Sequence, residues 1–375
     1  MGLLLCSIIG AVWAVVMVFF WRALHGLRRL EPATGKSINR RLSVVLPARN
    51  EERDLASAIG SLLAQEIEGL EVIVVDDHST DRTGAIAEEF AARDPRVRVL
   101  HDPQLPPGWL GKPNAMHHGA TLARGGEILF SDADVIHSRG CLAAAIAEKD
   151  RNGLEFLTLF PRRILATFWD NVQLPLYYLS FAVFRRPGLE DPKSPRATAS
   201  GAFLLIEKQA LSAIGGWEAL RDAVLDDVRL ARRLKERGHK VGARLAPECL
   251  HVEFFKTGKD AFWGNLRTFV NLGRTRPSLL IGLSTAYSLL FAAPPLVAAA
   301  GAITGNLPLA GVGAAVYLLQ YGSFWLARDV MRFQPAKLLA FPLVAAPVLT
   351  CMLRVLLRPG RTFPWRGRTV KFEER

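Results

Sequence analysis

Glu127-Ile128-Leu129-Phe130-Ser131-Asp132-Ala133-Asp134 is the stretch on which the reading of this chain turns. Its apolar run reads as a buried strand, and its end carries two carboxylates at i and i+2. On an extended backbone that spacing puts both side chains on one face, so their oxygens converge. Two such carboxylates repel, and a hard divalent cation with oxygen ligands relieves the repulsion. Mg2+ or Mn2+ held in this way keeps open positions that phosphate oxygens fill. The stretch therefore points to a metal–diphosphate site at the carboxyl edge of an α/β sheet. Taken alone, it would equally describe a solvated turn.

The surrounding pattern favours the sheet. Leu42-Ser43-Val44-Val45-Leu46 is a short buried-strand pattern, expected to stop at Pro47, and Leu55, Ile59, Leu62 and Leu63 follow at helical spacing. Glu71-Val72-Ile73-Val74-Val75 is the next strand and ends in Asp76-Asp77. Thr80 or Asp81 then caps a helix through Ile86 and Phe90, and Val97-Arg98-Val99-Leu100 is a third strand. Such alternation implies right-handed crossovers and a mostly parallel sheet covered on both faces, with ligands at the carboxyl ends of its strands. Pro47-Ala48-Arg49-Asn50-Glu51, Asp76-Asp77 and Asp132-Ala133-Asp134 all fall at those ends. No Gly-x-Gly-x-x-Gly follows the first strand and no Gly-Lys-Ser/Thr loop is present, which argues against dinucleotide and ATPase sites.

Half of the 375 residues are apolar, yet 22% are charged. The apolar residues are clustered. Gly2 to Trp21 carries no formal charge and is long enough to cross a bilayer. Further apolar stretches run from Leu279 to Thr304, Leu307 to Ala327 and Leu338 to Leu357. No basic residue precedes the first segment and no small-x-small site follows it, so a retained anchor is favoured over a cleaved signal. Arg22, Arg28, Arg29, Arg40 and Arg41 follow it, which places the central domain on the cytoplasmic side. The basic tail, with Arg358, Arg361, Arg366, Arg368, Lys371 and Arg375, favours an even number of crossings. One proline-interrupted segment, at Pro294-Pro295 or at Pro342 and Pro347, would then be re-entrant. The net charge of +12 reflects basic residues beside apolar segments, where anionic headgroups lie, and no nucleic-acid-binding signature accompanies it. Cys6, Cys141, Cys249 and Cys351 show no metal or redox spacing and read as reduced structural residues.

Six pieces in order resemble family 2 of the inverting glycosyltransferases of the GT-A fold. They are Pro47-Ala48-Arg49-Asn50-Glu51, Val74 to Asp81, Gly111-Lys112, Asp132-Ala133-Asp134, Ala199-Ser200-Gly201-Ala202-Phe203 and Leu225-Asp226-Asp227. Pro106-Pro107-Gly108-Trp109-Leu110-Gly111-Lys112 and Trp365-Arg366-Gly367-Arg368 are similar to the membrane subgroup of hopene-associated, carotenoid and ceramide glycosyltransferases. The resemblance implies an α/β, Rossmann-like GT-A domain between membrane segments. Its parts would be an anchor over 1–22, a basic linker over 23–41, a nucleotide-sugar half over 42–135, an acceptor half with the catalytic base over 136–277, transmembrane or re-entrant helices over 278–357 and a basic tail over 358–375.

The resemblance also implies roles. Pro47, Arg49, Glu51, Asp76 and Asp77 would bind the base and ribose of the donor, Lys112 would face its diphosphate, and Asp132 and Asp134 would hold Mg2+ or Mn2+. Asp227, with Asp226 beside it, would be the catalytic base, and Gly201, Phe203 and Arg267 would lie on the acceptor side. Ordinary readings stand beside these: Asp77 and Asp226-Asp227 as helix-capping acids, Arg49 and Glu51 as a surface ion pair, Lys112 as a solvated lysine. Many membrane members carry Gln-x-x-Arg-Trp, whose counterpart here, Gly264-Asn265-Leu266-Arg267-Thr268, has lost both flanking residues. That loss argues against a processive synthase. The expected reaction is a single transfer, with inversion, from a nucleotide sugar such as a UDP-hexose to a hopanoid- or carotenoid-type lipid hydroxyl. Polyprenyl phosphate or ceramide as acceptor, or a non-catalytic nucleotide-binding scaffold, are the alternatives. The aromatic stretch Phe168 to Phe184 reads as a core or an interfacial helix, and His117-His118 as helix-surface residues.

Overall fold

A computed structural model describes residues 2–33, 38–184, 190–191, 194, 197–253, 257, 277–357, 362–365 and 368–371. The elements run α1 (Gly2–His25), β1 (Ile38–Ala48), α2 (Leu55–Leu63), β2 (Ile67–Asp76), α3 (Thr83–Arg93), β3 (Val97–His101), α4 (Gly111–Leu122), β4 (Glu127–Phe130), β5 (Val135–His137) and α5 (Cys141–Arg151). They continue through β6 (Phe156–Phe160), β7 (Arg162–Ile164), α6 (Phe168–Val172), α7 (Leu174–Phe184), β8 (Leu204–Glu207), α8 (Lys208–Ala213), α9 (Asp226–Glu236), β9 (Val241–Leu245) and β10 (Leu250–Glu253). The chain divides into two units, residues 25–163 with 185–252, and residues 1–24 with 164–184 and 253–375.

The first unit is built on a seven-stranded sheet in the order β3-β2-β1-β4-β8-β6-β9. β3, β2, β1 and β4 pair in parallel, β8 runs antiparallel to β4 and β6, and β9 is parallel to β6. Alternate residues of each strand feed two separate cores. Val44, Leu46, Val72, Val74 and Leu129 lie with residues of α2 and α5 on one face. Val45, Ile73, Val75, Ile128 and Phe130 lie with Met116, Trp217 and Leu230 on the other. This two-sided burial explains why these strands read as continuous apolar runs.

β1 continues through Pro47, where the sequence suggested a stop. Val45 turns its carbonyl toward β4, accepting from the Ser131 N–H at 3.1 Å, while the Ala48 carbonyl turns the other way to the Asp77 N–H at 2.8 Å. Pro47, two residues beyond Val45, therefore turns its missing N–H toward β4, which has already ended at Phe130. No ladder bond is lost there. β4 stops because the chain turns: Asp132-Ala133-Asp134 is a turn and not extended backbone, closed by a Val135 N–H bond to the Asp132 carbonyl at 3.3 Å. The two carboxylates thus converge through a turn and not through strand alternation. β5 then pairs antiparallel with β10 and fixes the far side of that turn.

In the second unit, Gly2–His25, Pro277–Ile303 and Leu307–Ala327 are long and apolar enough to cross a membrane, by length and composition. Pro294 and Pro295 lie inside one continuous helix. The interruption falls instead on the last apolar stretch, a 3-10 turn over Phe341–Val344 followed by a helix over Ala345–Leu357. A Cβ on Gly301 or Gly313 would lie 2.3 Å from the Ala310 nitrogen or 2.5 Å from the Ala298 nitrogen, so these two glycines let neighbouring helices touch. Trp13 donates its indole N–H to Ser323 Oγ at 2.9 Å and stacks on Tyr178. Phe168 and Trp169 are exposed while Tyr177 and Tyr178 are buried, so the described aromatic side chains divide between surface and core, and those of Phe181 and Phe184 lie outside the described ones.

Candidate active site

The polar groups of the first unit gather at the carboxyl ends of β1, β2, β3 and β4. Asn50, His78 and Asp102, the non-glycine residues with positive φ among the described residues, follow β1, β2 and β3 in turn. Backbone held in that region costs of order 1 kcal/mol or more per residue and collects at functional sites. The loops after β1 and β2 are tied to each other. Arg49 Nη1 donates to the Asp77 carbonyl at 2.5 Å, the Asn50 N–H to Ser79 Oγ at 3.0 Å and the Glu51 N–H to Thr83 Oγ1 at 2.7 Å. Asp81 Oδ1 accepts from the Thr83 N–H at 3.0 Å from one residue outside the helix, but the N-cap of α3 is Arg82, where the sequence suggested Thr80 or Asp81.

Asp76 and Asp77 differ in their duties. Asp76 Oδ1 accepts from the Ser79 N–H at 3.1 Å and Oδ2 lies 3.3 Å from His101 Nδ1, so this carboxylate holds the loop closed. A hydrogen bond from His101 to Glu88, working against burial and joined by Asp76, raises the pKa of His101. Asp77 Oδ1 lies 3.2 Å from His78 Nδ1. Arg49 and Glu51 just past β1 and Asp77 just past β2 stand on these two loops, while Pro47 lies in the last residues of β1 itself.

A second cluster forms around Lys112, at the start of α4. Its Nζ donates to Asp132 Oδ1 at 2.6 Å and lies 3.8 Å from Asp226 Oδ2. Burial works to lower the ammonium's pKa, but Asp132, Asp226 and Asp227 outweigh it and raise it. Asp227, in the first turn of α9, accepts from the Gly201 N–H at 2.9 Å and from the Val228 N–H at 2.8 Å. Burial and the neighbouring Asp226 nevertheless push its pKa up to about 6, against the pull of Lys112 and the two amides. A Cβ on Gly201 would stand 2.9 Å from Lys112 Nζ and 3.3 Å from Asp132 Oδ2. A side chain there would have to push the ammonium aside, so glycine keeps that convergence intact.

Asp134 is pushed up to about 7 by burial and then by Asp132, with Lys112 opposing. A like-charged pair of carboxylates strained in this way fits a divalent cation. Among the described residues no three His, Cys, Asp or Glu side chains gather to hold a metal, so Asp132 and Asp134 would leave most positions to donor oxygens and water.

One acceptor-side expectation changes. Phe203 is fully buried in the core, its ring 6.2 Å from His137, and so backs the site instead of lining it. Arg267 lies outside the described residues. The sequence reading also missed a brace. Ser131 Oγ donates to the Ala202 carbonyl at 2.9 Å and lies 3.4 Å from His137 Nε2, tying the Asp132 turn to the segment that carries Gly201. Burial pulls His137 down to about 3, so it is neutral. A polar residue at the end of an apolar strand was the available signal.

Residues 43–215 match the model of Glycosyl transferase family 2. The chain carries a family 2 glycosyltransferase domain. A 4,4'-diaponeurosporenoate glycosyltransferase of Staphylococcus aureus is 25% identical over 248 residues, which is 64% of this chain and 64% of that enzyme. The uncharacterized glycosyltransferase EpsJ of Bacillus subtilis is 34% identical over 116 residues, covering 31% of this chain and 32% of EpsJ. The chain thus aligns with less than two thirds of the length of these relatives. A mannosyltransferase from Pyrobaculum calidifontis, solved with GDP-mannose and Mn2+, superposes with a TM-score of 0.58 at 19% identity over 95% of this chain and 99% of its own. That likeness establishes the GT-A fold of the glycosyltransferase domain.

Proposed function

We propose that the chain is a membrane glycosyltransferase that moves one sugar from a nucleoside-diphosphate donor, a UDP-hexose, to the hydroxyl of a polyisoprenoid-derived lipid with inversion. The observation that carries this reading is Asp227: a carboxylate oriented by two backbone amides, with its pKa near 6, beside the Lys112–Asp132 pair. A general base works best when its pKa lies near the working pH. The acceptor hydroxyl gives its proton to Asp227 as its oxygen attacks the anomeric carbon. The bond to the diphosphate breaks on the opposite face, and the electron pair leaves with the diphosphate. One in-line displacement inverts that centre.

Lys112 supplies positive charge beside the diphosphate, and Asp226 holds Lys112 in reach. Mg2+ or Mn2+ held by Asp132 and Asp134 would neutralise charge on the departing nucleoside diphosphate. Arg49, Glu51 and Asp77 would form the base and ribose pocket. The staphylococcal relatives are named for a carotenoid acid, whose skeleton favours a carotenoid-type acceptor over a hopanoid, polyprenyl phosphate or ceramide, whereas the base Asp227 calls for an acceptor hydroxyl and not a carboxylate. The candidate spans, with the basic residues that follow α1, support a cell-membrane enzyme whose catalytic residues face the cytoplasm.

The test is transfer by the purified full chain, given UDP-glucose, UDP-galactose, UDP-N-acetylglucosamine or GDP-mannose, total bacterial lipid and Mn2+ or Mg2+. A glycolipid identified by mass and lost in Asp132→Ala supports the reading. Metal-dependent nucleotide binding with no transfer from any donor supports the scaffold instead.

A further inference from the structure

Single exposed apolar side chains are ordinary on a protein surface. Here their placement is not scattered. Among the described residues of 25–163 and 185–252, two large apolar side chains are exposed, Leu105 (36%) and Leu225 (57%). Both lie on the segments that carry the reacting groups. Leu225 immediately precedes Asp226 and Asp227 at the start of α9, and Leu105 opens the loop that ends at Lys112.

Those two segments are built as one support. The Leu110 N–H donates to the Arg221 carbonyl at 2.8 Å, joining the 105–110 loop to the 221–225 loop. Asn114 Nδ2 donates to the Gln104 carbonyl at 3.0 Å and fixes the start of the first loop. Trp109 packs against the same core as Ala223. The polypeptide therefore holds two leucines out to solvent on hydrogen-bonded loops, one in the loop that leads to Lys112 and one next to Asp226 and Asp227. A sugar acceptor would have little use for aliphatic surface there.

We infer that Leu105 and Leu225 form an apolar lip of the acceptor subsite. The lip holds the hydrocarbon skeleton of the acceptor beside the hydroxyl that Asp227 deprotonates. This rests on the transferase reading and adds the feature that selects a lipid over a water-soluble acceptor. The occupant is the acceptor itself, because Leu225 adjoins Asp226 and Asp227 in the chain and the loop of Leu105 is hydrogen-bonded to the same segment.

The experiment measures acceptor and donor KM for the full chain in mixed micelles, with Leu105→Ser, Leu225→Ser and the double variant. Acceptor KM is expected to rise about tenfold for each serine, the loss of one leucine's burial, with donor KM unchanged. Leu225→Met should restore the wild-type value. An unchanged acceptor KM in the double variant overturns the inference, as does a donor KM that rises in step. Loss of self-association on size exclusion with unchanged acceptor KM assigns the leucines to a contact between copies and also overturns it. Wild-type transfer to a water-soluble alcohol but to no lipid defeats this inference alone. Absence of donor turnover with every acceptor defeats the transferase reading, and the lip falls with it.

Discussion

Replacing Gly201 by alanine perturbs the site with a single methyl group. The new Cβ would lie 2.9 Å from Lys112 Nζ and 3.3 Å from Asp132 Oδ2, so something must move. The ammonium yields first, being the far end of a flexible side chain that is 37% exposed. A charge-assisted hydrogen bond is worth about 1.5–3 kcal/mol, but water at this exposure replaces much of it, leaving a stability cost of about 1 kcal/mol or less. In a domain of this size that is a fall in Tm of about 2–4 °C. Catalysis is less forgiving. The displaced ammonium leaves Asp132 and no longer supplies fixed positive charge where charge develops on the leaving diphosphate, a loss that costs about a hundredfold. Initial rates at saturating donor, beside thermal melts in the same detergent, separate the two. The expected result is kcat down about a hundredfold with Tm nearly kept. A kcat within about threefold of wild type would refute the reasoning, and a collapse of Tm would make Gly201 a structural residue only.

Other outcomes follow from the same geometry. Because Asp227 must be ionised to accept a proton and its pKa is near 6, kcat/KM should fall with unit slope as pH drops below about 6 and level off above it; a flat profile down to pH 5 would remove Asp227 as base. Chelation should abolish transfer and Mn2+ restore it, and Asp134→Ala should weaken Mn2+ binding in the presence of UDP about tenfold or more by titration calorimetry; unchanged binding would place the metal elsewhere. Arg244 is buried, with its Nε donating to Glu148 Oε1 at 2.7 Å and its Nη1 paired with Glu190. Arg244→Ala should therefore cost about 3 kcal/mol by denaturant titration, with donor KM unchanged; full stability would show that this buried pair contributes nothing.

The parallel half of the sheet was legible because its strands are apolar on both faces and their polar residues fall at one end. What escaped had a local signal of either sign. Pro47 reads as a strand terminator, and only the end of β4 two residues earlier makes its missing N–H harmless. Asp-Ala-Asp fits an extended strand or a turn equally, and the pairing of β5 with β10 decides for the turn. Phe203 after a small-residue run fits a pocket wall or a core, and its place in the core with Val135 and Leu159, distant in sequence, decides for the core. The direct contact of Lys112 with Asp132 joins a helix start to a strand end 20 residues away. No spacing rule encodes that meeting. The apolar segments were visible from composition, but their proline pairs were not interpretable: one pair sits inside a continuous helix and the other in a broken one.

Transfer of labelled hexose from a UDP-sugar to extracted lipid, by wild type and by Asp227→Asn, tests the central claim most directly. The amide keeps the size of the carboxylate but cannot take the proton. The wild type should form a glycolipid, and Asp227→Asn should lose about 10²–10⁴-fold in rate while binding UDP with unchanged affinity. Equal turnover by the two proteins would contradict the assignment of Asp227 as the base and, with it, the mechanism built around this site.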